Sequence, residues 1–218
     1  DYFQGTKGGG NGDYHLLTYA PASIQEFIDI MMFAYDKAEK YRIPVLFLAD
    51  GIIAQMMEPV ELPEMVDYKV DPEKKPWACT GWKPGDDPKK RGIINSIYID
   101  TETLAVHNDE LQAMYKQVTA NELMWEEYNC ENAEYIITAF GTVARIAKSA
   151  INELKEKGIH VGLVRPITVW PFPYDAVAKA VNQPSVKAVL DVELNEGQML
   201  EDVKLAVCGT KPIDFTGH

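Results

Sequence analysis

The sequence predicts an α/β protein with a mostly parallel sheet. Short apolar strands alternate with amphipathic helices near the start of the chain and again, more regularly, after residue 134. Residues 45–49 are apolar on both faces, which is typical of strands buried in a parallel sheet, and residues 186–192 are predicted to be another buried strand. Hydrophobic residues make up 46% of the 218 residues, enough apolar material to bury a sizeable core.

The first predicted unit is a strand, a helix and a second strand. Residues 1–13 contain five glycines, so no regular element is expected there. Residues 16–20 form the first strand, and Ser23 with Glu26 three residues later forms a capping box that starts the helix. Its predicted apolar face consists of Ile24, Phe27, Ile28, Met31, Tyr35 and Ala38. Residues 45–49 follow as a central parallel strand, completing a βαβ unit.

The middle of the chain differs in composition. Six of the thirteen prolines lie between residues 59 and 88, among many charges, which predicts an irregular connector. A helix is expected from about residue 101 to residue 128, because apolar side chains recur there every seven residues. The alternate apolar positions are mostly polar, which favours a helix lying across a domain surface over a coiled coil.

Alternation of strand and helix is clearest in the last third of the chain, where Gly158 ends the first helix and Pro173 opens the second. The pattern predicts a β-α-β-α-β-α-β domain. Its strands are residues 135–140, 161–164, 186–192 and 213–215, and its helices are residues 143–154, 173–181 and 195–208.

Composition excludes several classes of function. Acidic side chains outnumber Lys and Arg by 33 to 21, a net charge of -12, which argues against nucleic acid and anionic membrane surfaces as partners. No apolar run approaches the roughly 18 residues of a membrane span, and the polar first residues do not predict a signal peptide. Three widely spaced cysteines do not form a disulfide framework, so a cytoplasmic location is expected.

A glycine-rich stretch stands out near the start of the chain. Gly8, Gly9, Gly10, Asn11 and Gly12 match neither common phosphate-loop pattern, and they precede a strand where a phosphate loop would follow one. A flexible loop whose backbone lies close to a ligand or a partner chain is the functional alternative.

Two further groups of polar residues follow predicted strands. Asp50, Gln55 and Glu58 come after a parallel strand, at the end where open α/β sheets bind ligands, although a solvated loop is the more usual role of such residues. Arg165 also ends a strand and either holds a carboxylate or phosphate of a ligand or pairs with a neighbouring acid. The histidines and cysteines lack metal-ligand spacing, so we expect neither a metal nor an iron–sulfur cluster held by this chain alone.

Several longer strings resemble one family over nearly the whole chain. They are residues 1–4 (DYFQ), 6–14 (TKGGGNGDY), 48–51 (LADG), 55–60 (QMMEPV), 93–98 (IINSIY), 135–145 (YIITAFGTVAR), 165–173 (RPITVWPFP) and 193–202 (ELNEGQMLED). These strings resemble the alpha-type subunits of 2-oxoacid:ferredoxin oxidoreductases, most closely the 2-oxoisovalerate type.

The resemblance implies a fold and a domain plan. Residues 1–64 would be the rear part of the thiamine-pyrimidine-type α/β domain, and residues 65–130 a proline-rich connector and helix. Residues 131–218 would be a transketolase C-terminal-like α/β domain. The family's front segment, with the glutamate that contacts the aminopyrimidine, precedes the first of these strings. No catalytic residue can therefore be assigned, and Asn11 stands where most relatives are expected to have histidine.

The resemblance also implies an activity. Enzymes of this family oxidatively decarboxylate a 2-oxo acid to acyl-CoA and CO2 and pass the electrons to ferredoxin. Thiamine diphosphate and Mg would be held mainly by a partner subunit, and iron–sulfur clusters would lie on other subunits. The chain alone is expected to be inactive.

The residues that could face a subunit or a ligand are Lys7, Gly8, Gly9, Gly10, Asn11, Asp13, Asp50, Gln55, Glu58 and Arg165. Two alternatives remain open at this point: an assembly subunit without a catalytic role, and a subunit of another thiamine enzyme, such as a transketolase-like protein or a 2-oxoacid dehydrogenase.

Overall fold

A computed structural model describes residues 1–65, 72–79 and 81–217. The chain divides into two compact units, residues 1–62 with residues 112–218, and residues 63–111. The elements in chain order are α1 (Tyr2–Thr6), β1 (Leu17–Tyr19), α2 (Ile24–Tyr41), β2 (Val45–Phe47), α3 (Gly51–Gln55), α4 (Thr101–Asn121), β3 (Trp125–Tyr128), β4 (Tyr135–Thr138), α5 (Gly141–Glu156), β5 (Val161–Pro166), β6 (Thr168–Trp170), α6 (Tyr174–Val181), β7 (Ala188–Glu193), α7 (Leu200–Val207) and β8 (Ile213–Gly217). Short 3-10 turns occur at Pro72–Lys74 and Pro88–Lys90.

The larger unit contains a three-stranded sheet, which is called the front sheet below. Its order is β2-β1-β6, with β1 and β2 parallel and β6 antiparallel to β1. The predicted βαβ unit is confirmed, but the central position of its second strand is wrong. Among the described residues β2 is an edge strand, and its three residues are half-buried. Strand β6 was not predicted, because three residues following Arg165-Pro166 are too few to show a period.

Helix α2 begins as predicted but buries a different face. The Ser23 hydroxyl accepts from the Glu26 amide at 3.1 Å, which confirms the cap. The buried residues are Ile30, Ala34 and Tyr41, whereas Tyr35 of the predicted face is 71% exposed. The predicted face lies along the β2 edge of the sheet, where Met31, Tyr35, Ala38, Val45 and Phe47 line an open apolar groove.

Two further predictions near the chain start and middle are corrected. A short helix, α1, forms within residues 1–13 because the Tyr2 ring is buried in the main core and holds the segment in place. Helix α4 ends at Asn121 and not at residue 128. Residues 125–128 instead form β3, which pairs antiparallel with β5, so Trp125 lies on a strand and not on the predicted helix.

The five-stranded sheet has the order β3-β5-β4-β7-β8 and is parallel except for β3. This confirms the mostly parallel α/β domain. Helix α5 packs on one face through Val143, Ala147 and Ile151. Helices α6 and α7 share the other core cluster with Tyr2 and Ala20. The Asn195 prediction is corrected: its side chain accepts from the Gly197 and Gln198 amides, and the helix starts only at Leu200.

Candidate functional site

A buried carboxylate, Asp202, fixes the base of the predicted glycine loop. It is 2% exposed and accepts three hydrogen bonds, from Tyr2 OH at 2.8 Å, Tyr174 OH at 2.5 Å and Lys7 Nζ at 2.7 Å. Burial and the adjacent carboxylate raise the pKa of Tyr2 and of Tyr174, so both hydroxyls keep their protons and remain donors. The sequence did not single out Asp202, because an acid in the first turn of a helix is usually a solvated end.

The glycine loop, residues 8–13, is held at both ends and exposed between them. Gly8 and Gly12 have φ angles of 98° and 97°, which only glycine adopts without strain. The Gly9 amide donates to Tyr14 OH at 2.7 Å, and the Asp13 carbonyl accepts from the Gln112 amide at 3.4 Å. Residues 9–13, including Gly10 and Asn11, are exposed. The loop therefore presents backbone to its surroundings from a fixed base.

Lys7 differs from the other loop candidates. Its ammonium group already pairs with buried Asp202, although 39% of its side chain is exposed. The charge of Lys7, which was predicted to face a subunit or a ligand, is therefore already paired within the chain.

A cleft adjoins the base of this loop. It has a volume of about 270 Å³, and its lining includes Lys7, His15, Trp170, Tyr174 and Asp202. The His15 ring stacks on Trp170 with centroids 4.4 Å apart. Burial lowers the pKa of His15, so the imidazole is neutral at pH 7. The walls are thus aromatic and neutral, and the lysine charge is balanced by Asp202.

Asp50 acts as a shared helix cap. Its Oδ1 accepts from the Ile52 and Ile53 amides at the start of α3, both at 3.0 Å. The same carboxylate accepts from the Thr142 amide and hydroxyl at the start of α5, also at 3.0 Å. Burial opposes ionisation, but these hydrogen bonds outweigh it and lower the pKa of Asp50. This role differs from both interpretations of the sequence, a ligand site and a solvated loop.

Glu58 and Gln55, which were predicted to cluster with Asp50, lie elsewhere. Glu58 accepts from the Ile24 amide at 3.1 Å and pairs with Arg145 at 2.6 Å. Gln55 lies exposed at the end of α3. The three side chains therefore do not converge on one site.

Arg165 pairs with neighbouring acids. It is 5% exposed and donates to both Glu26 oxygens, at 2.8 and 2.6 Å, while its Nε lies 3.0 Å from Glu126. Glu26 also accepts from the Ala22 amide at 2.6 Å. Of the two open interpretations, the structure supports the pairing of Arg165 with a neighbouring acid.

A buried acidic pair on β7 was not predicted from the sequence. Asp191 is fully buried and Glu193 is 3% exposed. Glu193 accepts from the Met199 and Leu200 amides, which fixes the start of α7 and thereby Asp202. Burial is the main reason why the pKa of Asp191 is raised to about 8, and the side chain of Glu193 raises it further. Two acids inside an otherwise apolar strand were the signal that could have found this pair.

Three carboxylates at the ends of strands and helices in the first part of the chain are occupied by donors of this chain. They belong to Glu26, Asp50 and Glu58. No group of three His, Cys, Asp or Glu suited to a metal occurs within the described ranges. The part of the chain that the structure describes also contains no helix that could span a membrane.

Comparisons with known families match this architecture. Residues 5–127 match the thiamine diphosphate-binding domain of pyruvate flavodoxin/ferredoxin oxidoreductase, and residues 133–218 match core domain II of pyruvate:ferredoxin oxidoreductase. The chain belongs to this family of oxidoreductases. Within it, the chain is similar to alpha-type subunits, as the resemblance indicated.

The chain is also similar to individual proteins of this family. The chain is 40% identical to ketoisovalerate oxidoreductase subunit VorB of Methanothermobacter marburgensis, over 94% of this chain and 56% of that protein. It is 32% identical to 2-oxoglutarate synthase subunit KorA of Methanocaldococcus jannaschii, over 90% of this chain and 57% of that protein. The chain thus spans about half the length of these relatives.

A solved structure has the same fold. The 2-oxoglutarate:ferredoxin oxidoreductase from Magnetococcus marinus superimposes with a TM-score of 0.70 at 17% identity, covering 99% of this chain and 41% of that one. The α/β fold class is therefore confirmed.

Proposed function

We propose that this protein is part of a subunit of a 2-oxoacid:ferredoxin oxidoreductase that acts on a branched-chain 2-oxo acid. In the reaction, the 2-oxo acid and coenzyme A give acyl-CoA and CO2, and two electrons leave to ferredoxin. The similarity to the VorB subunit over 94% of the chain is the observation that carries this proposal. The lower identity to the KorA subunit, whose name specifies 2-oxoglutarate, favours the branched-chain substrate.

The proposed complex assigns the chemistry to several subunits. Other subunits hold most of the thiamine diphosphate and Mg site and the iron–sulfur clusters, and the complex works in the cytoplasm. This division is supported by the carboxylates of the described residues, which are occupied by donors of this chain. The domain plan of residues 1–64, 65–130 and 131–218 is part of the same proposal.

The glycine loop is the part of this chain that we assign to the active complex. Its backbone is exposed between two anchored ends, and its base rests on the buried Asp202. Ordering a glycine-rich segment costs on the order of 1–2 kcal/mol per residue, so contact with a neighbouring subunit or ligand offsets that cost. We therefore propose that residues 8–13 face a subunit or cofactor surface.

The substrate assignment is tested with the complete multi-subunit enzyme. Reduction of ferredoxin is measured with thiamine diphosphate, coenzyme A and, in turn, 2-oxoisovalerate, 2-oxoglutarate and pyruvate. We expect the highest kcat/KM with 2-oxoisovalerate. A preference for 2-oxoglutarate would instead place the chain with the KorA-like subunits, and transfer to a lipoyl or sugar acceptor would identify another thiamine enzyme.

The role of the loop is tested with a matched pair of glycines. Gly12 and Gly209 both have positive φ, and a Cβ at either would meet no atom within 4 Å. Gly12→Ala is expected to lower kcat/KM of the complex by about 10- to 100-fold, because a shifted loop misplaces its contacts. Gly209→Ala, which also places alanine at a positive φ but lies outside the loop, is the control. Equal activity of both variants would support a purely structural assembly subunit.

A further inference from the structure

Two cavities of the larger unit meet at His15. The first is the cleft at the base of the glycine loop, with a volume of about 270 Å³. The second has a volume of about 420 Å³, and its lining includes Tyr115 and Lys116 of α4. His15, Thr119 and Trp170 line both cavities, so the two adjoin, and together they are named here the aromatic groove. Cavities of this size commonly hold small molecules.

A three-ring contact fixes the side chain of His15. Its imidazole stacks on Trp170 with centroids 4.4 Å apart and meets the edge of the Tyr115 ring at 5.0 Å. Neither imidazole nitrogen has a hydrogen-bond partner among the described residues. Burial lowers the pKa of His15, although the Asp13 carboxylate acts in the opposite direction, so the ring is neutral and carries one donor and one acceptor. The imidazole is thus held in place by contacts that leave both nitrogens available.

The aromatic groove contains unused hydrogen-bond donors and a saturated acid. Within the part of the chain that the structure describes, the Trp170 indole N–H has no acceptor and the Lys116 ammonium has no ion-pair partner. Asp202, the carboxylate of the groove, is 2% exposed and already accepts three hydrogen bonds. Available N–H groups beside an unpaired ammonium favour an anionic group such as a carboxylate or a phosphate.

We propose that the aromatic groove binds a small molecule in which a planar ring carries a carboxylate or a phosphate. The ring packs against the accessible surfaces of Trp170 and His15, which supply the aromatic contact. The N–H groups of these two side chains donate to the anionic group, and Lys116 supplies the opposite charge. All three side chains belong to this chain, and the inference does not depend on the proposed reaction.

Binding to the 218-residue chain tests this inference by isothermal titration calorimetry. Indole-3-acetate and AMP are the two probes, one with a carboxylate and one with a phosphate, and indole-3-ethanol and adenosine are their neutral counterparts. Inorganic phosphate tests the anionic group without a ring. The variant His15→Phe keeps an aromatic ring but removes both nitrogens, and Lys116→Gln removes the charge at an exposed position. Lys179→Gln, at an exposed position of α6 outside the groove, is the control.

We expect indole-3-acetate or AMP to bind with a Kd below about 1 mM, and about tenfold or more tighter than its neutral counterpart and than inorganic phosphate. His15→Phe should weaken this binding by about tenfold and Lys116→Gln by about threefold, whereas Lys179→Gln should leave it unchanged. The tighter of the two probes shows whether the groove prefers a carboxylate or a phosphate.

Three results would overturn the proposal. They are the absence of binding by both probes at about 1 mM, equal binding of a probe and its neutral counterpart, and binding that Lys116→Gln and high salt leave unchanged. Because Lys116 is exposed, its variant decides the question even if His15→Phe disturbs the three-ring contact.

Discussion

Replacing Asp191 by Asn should stabilise the protein at neutral pH. The Asp191 carboxyl is fully buried and accepts from the Thr138 hydroxyl at 2.6 Å through Oδ1. Its Oδ2 has no donor among the described residues, as expected if it carries its own proton towards Glu193. An Asn side chain can reproduce both contacts without a proton, because its carbonyl accepts from Thr138 and its amide donates to Glu193.

The magnitude follows from the raised pKa of Asp191, about 8 in the fold against an ordinary value of 3.8. Between about pH 4 and about pH 8 the folded chain retains a proton that the unfolded chain has lost. The free energy of unfolding therefore falls by about 1.4 kcal/mol per pH unit in this window, to a total of at most ~4 kcal/mol at pH 7. Below about pH 4 both states are protonated and the cost disappears.

Urea unfolding of both proteins, followed by tryptophan fluorescence between pH 4.5 and pH 8.5, measures this effect. The advantage of Asp191→Asn should grow with pH and level off near pH 8. Asp214→Asn, at an exposed position on the adjacent strand β8, is the control and should change little at any pH. A variant that is less stable than the parent at every pH would show that the folded carboxyl is ionised and that the reasoning is wrong.

Two other substitutions test the buried contacts around the site. Asp202→Asn should destabilise the fold by about 1–3 kcal/mol, because an amide nitrogen in place of Oδ2 cannot accept from the buried Tyr2 hydroxyl, and should speed amide exchange across residues 2–13. Unchanged exchange there would refute the anchoring role. Gly141→Ala should cost more than Gly158→Ala in urea unfolding, since both have positive φ but only at Gly141 would a Cβ lie 3.2 Å from Asp50 Oδ2. The difference should be about 1 kcal/mol or more, and equal costs would contradict the shared cap.

The sequence predicted most helices and strands of the larger unit, because their apolar residues recur with a clear period and because proline or glycine marks their ends. Helix α6 begins after Pro173, and the turn after α5 contains Gly158 at a φ of 77°. The errors have a common cause in tertiary structure. Apolar and polar residues alternate only weakly in residues 125–128, and pairing with β5 makes them a strand. Tyr2 makes α1 a helix by packing against distant residues, which no local pattern records.

The candidate site was less predictable than the fold. The glycine loop could be identified because glycine at positive φ is a local property of Gly8 and Gly12. Whether a charged group faces a ligand or another residue of the same chain depends on long-range partners. Asp50 meets Thr142, 92 positions away, and Arg165 meets Glu26, 139 positions away. A contact between residues so far apart along the chain cannot be recognised from a single sequence.

The same long-range partners explain why the glycine loop and the C-terminal part of the chain depend on each other. Strand β6 completes the front sheet by pairing with β1, and the three donors on Asp202 include two from α1 and its C-terminal end. Glu193 fixes the start of the helix that carries Asp202, and its neighbour on the same strand, Asp191, is fully buried. The base of the loop at Lys7 is therefore held by α7, more than 170 residues later in the chain.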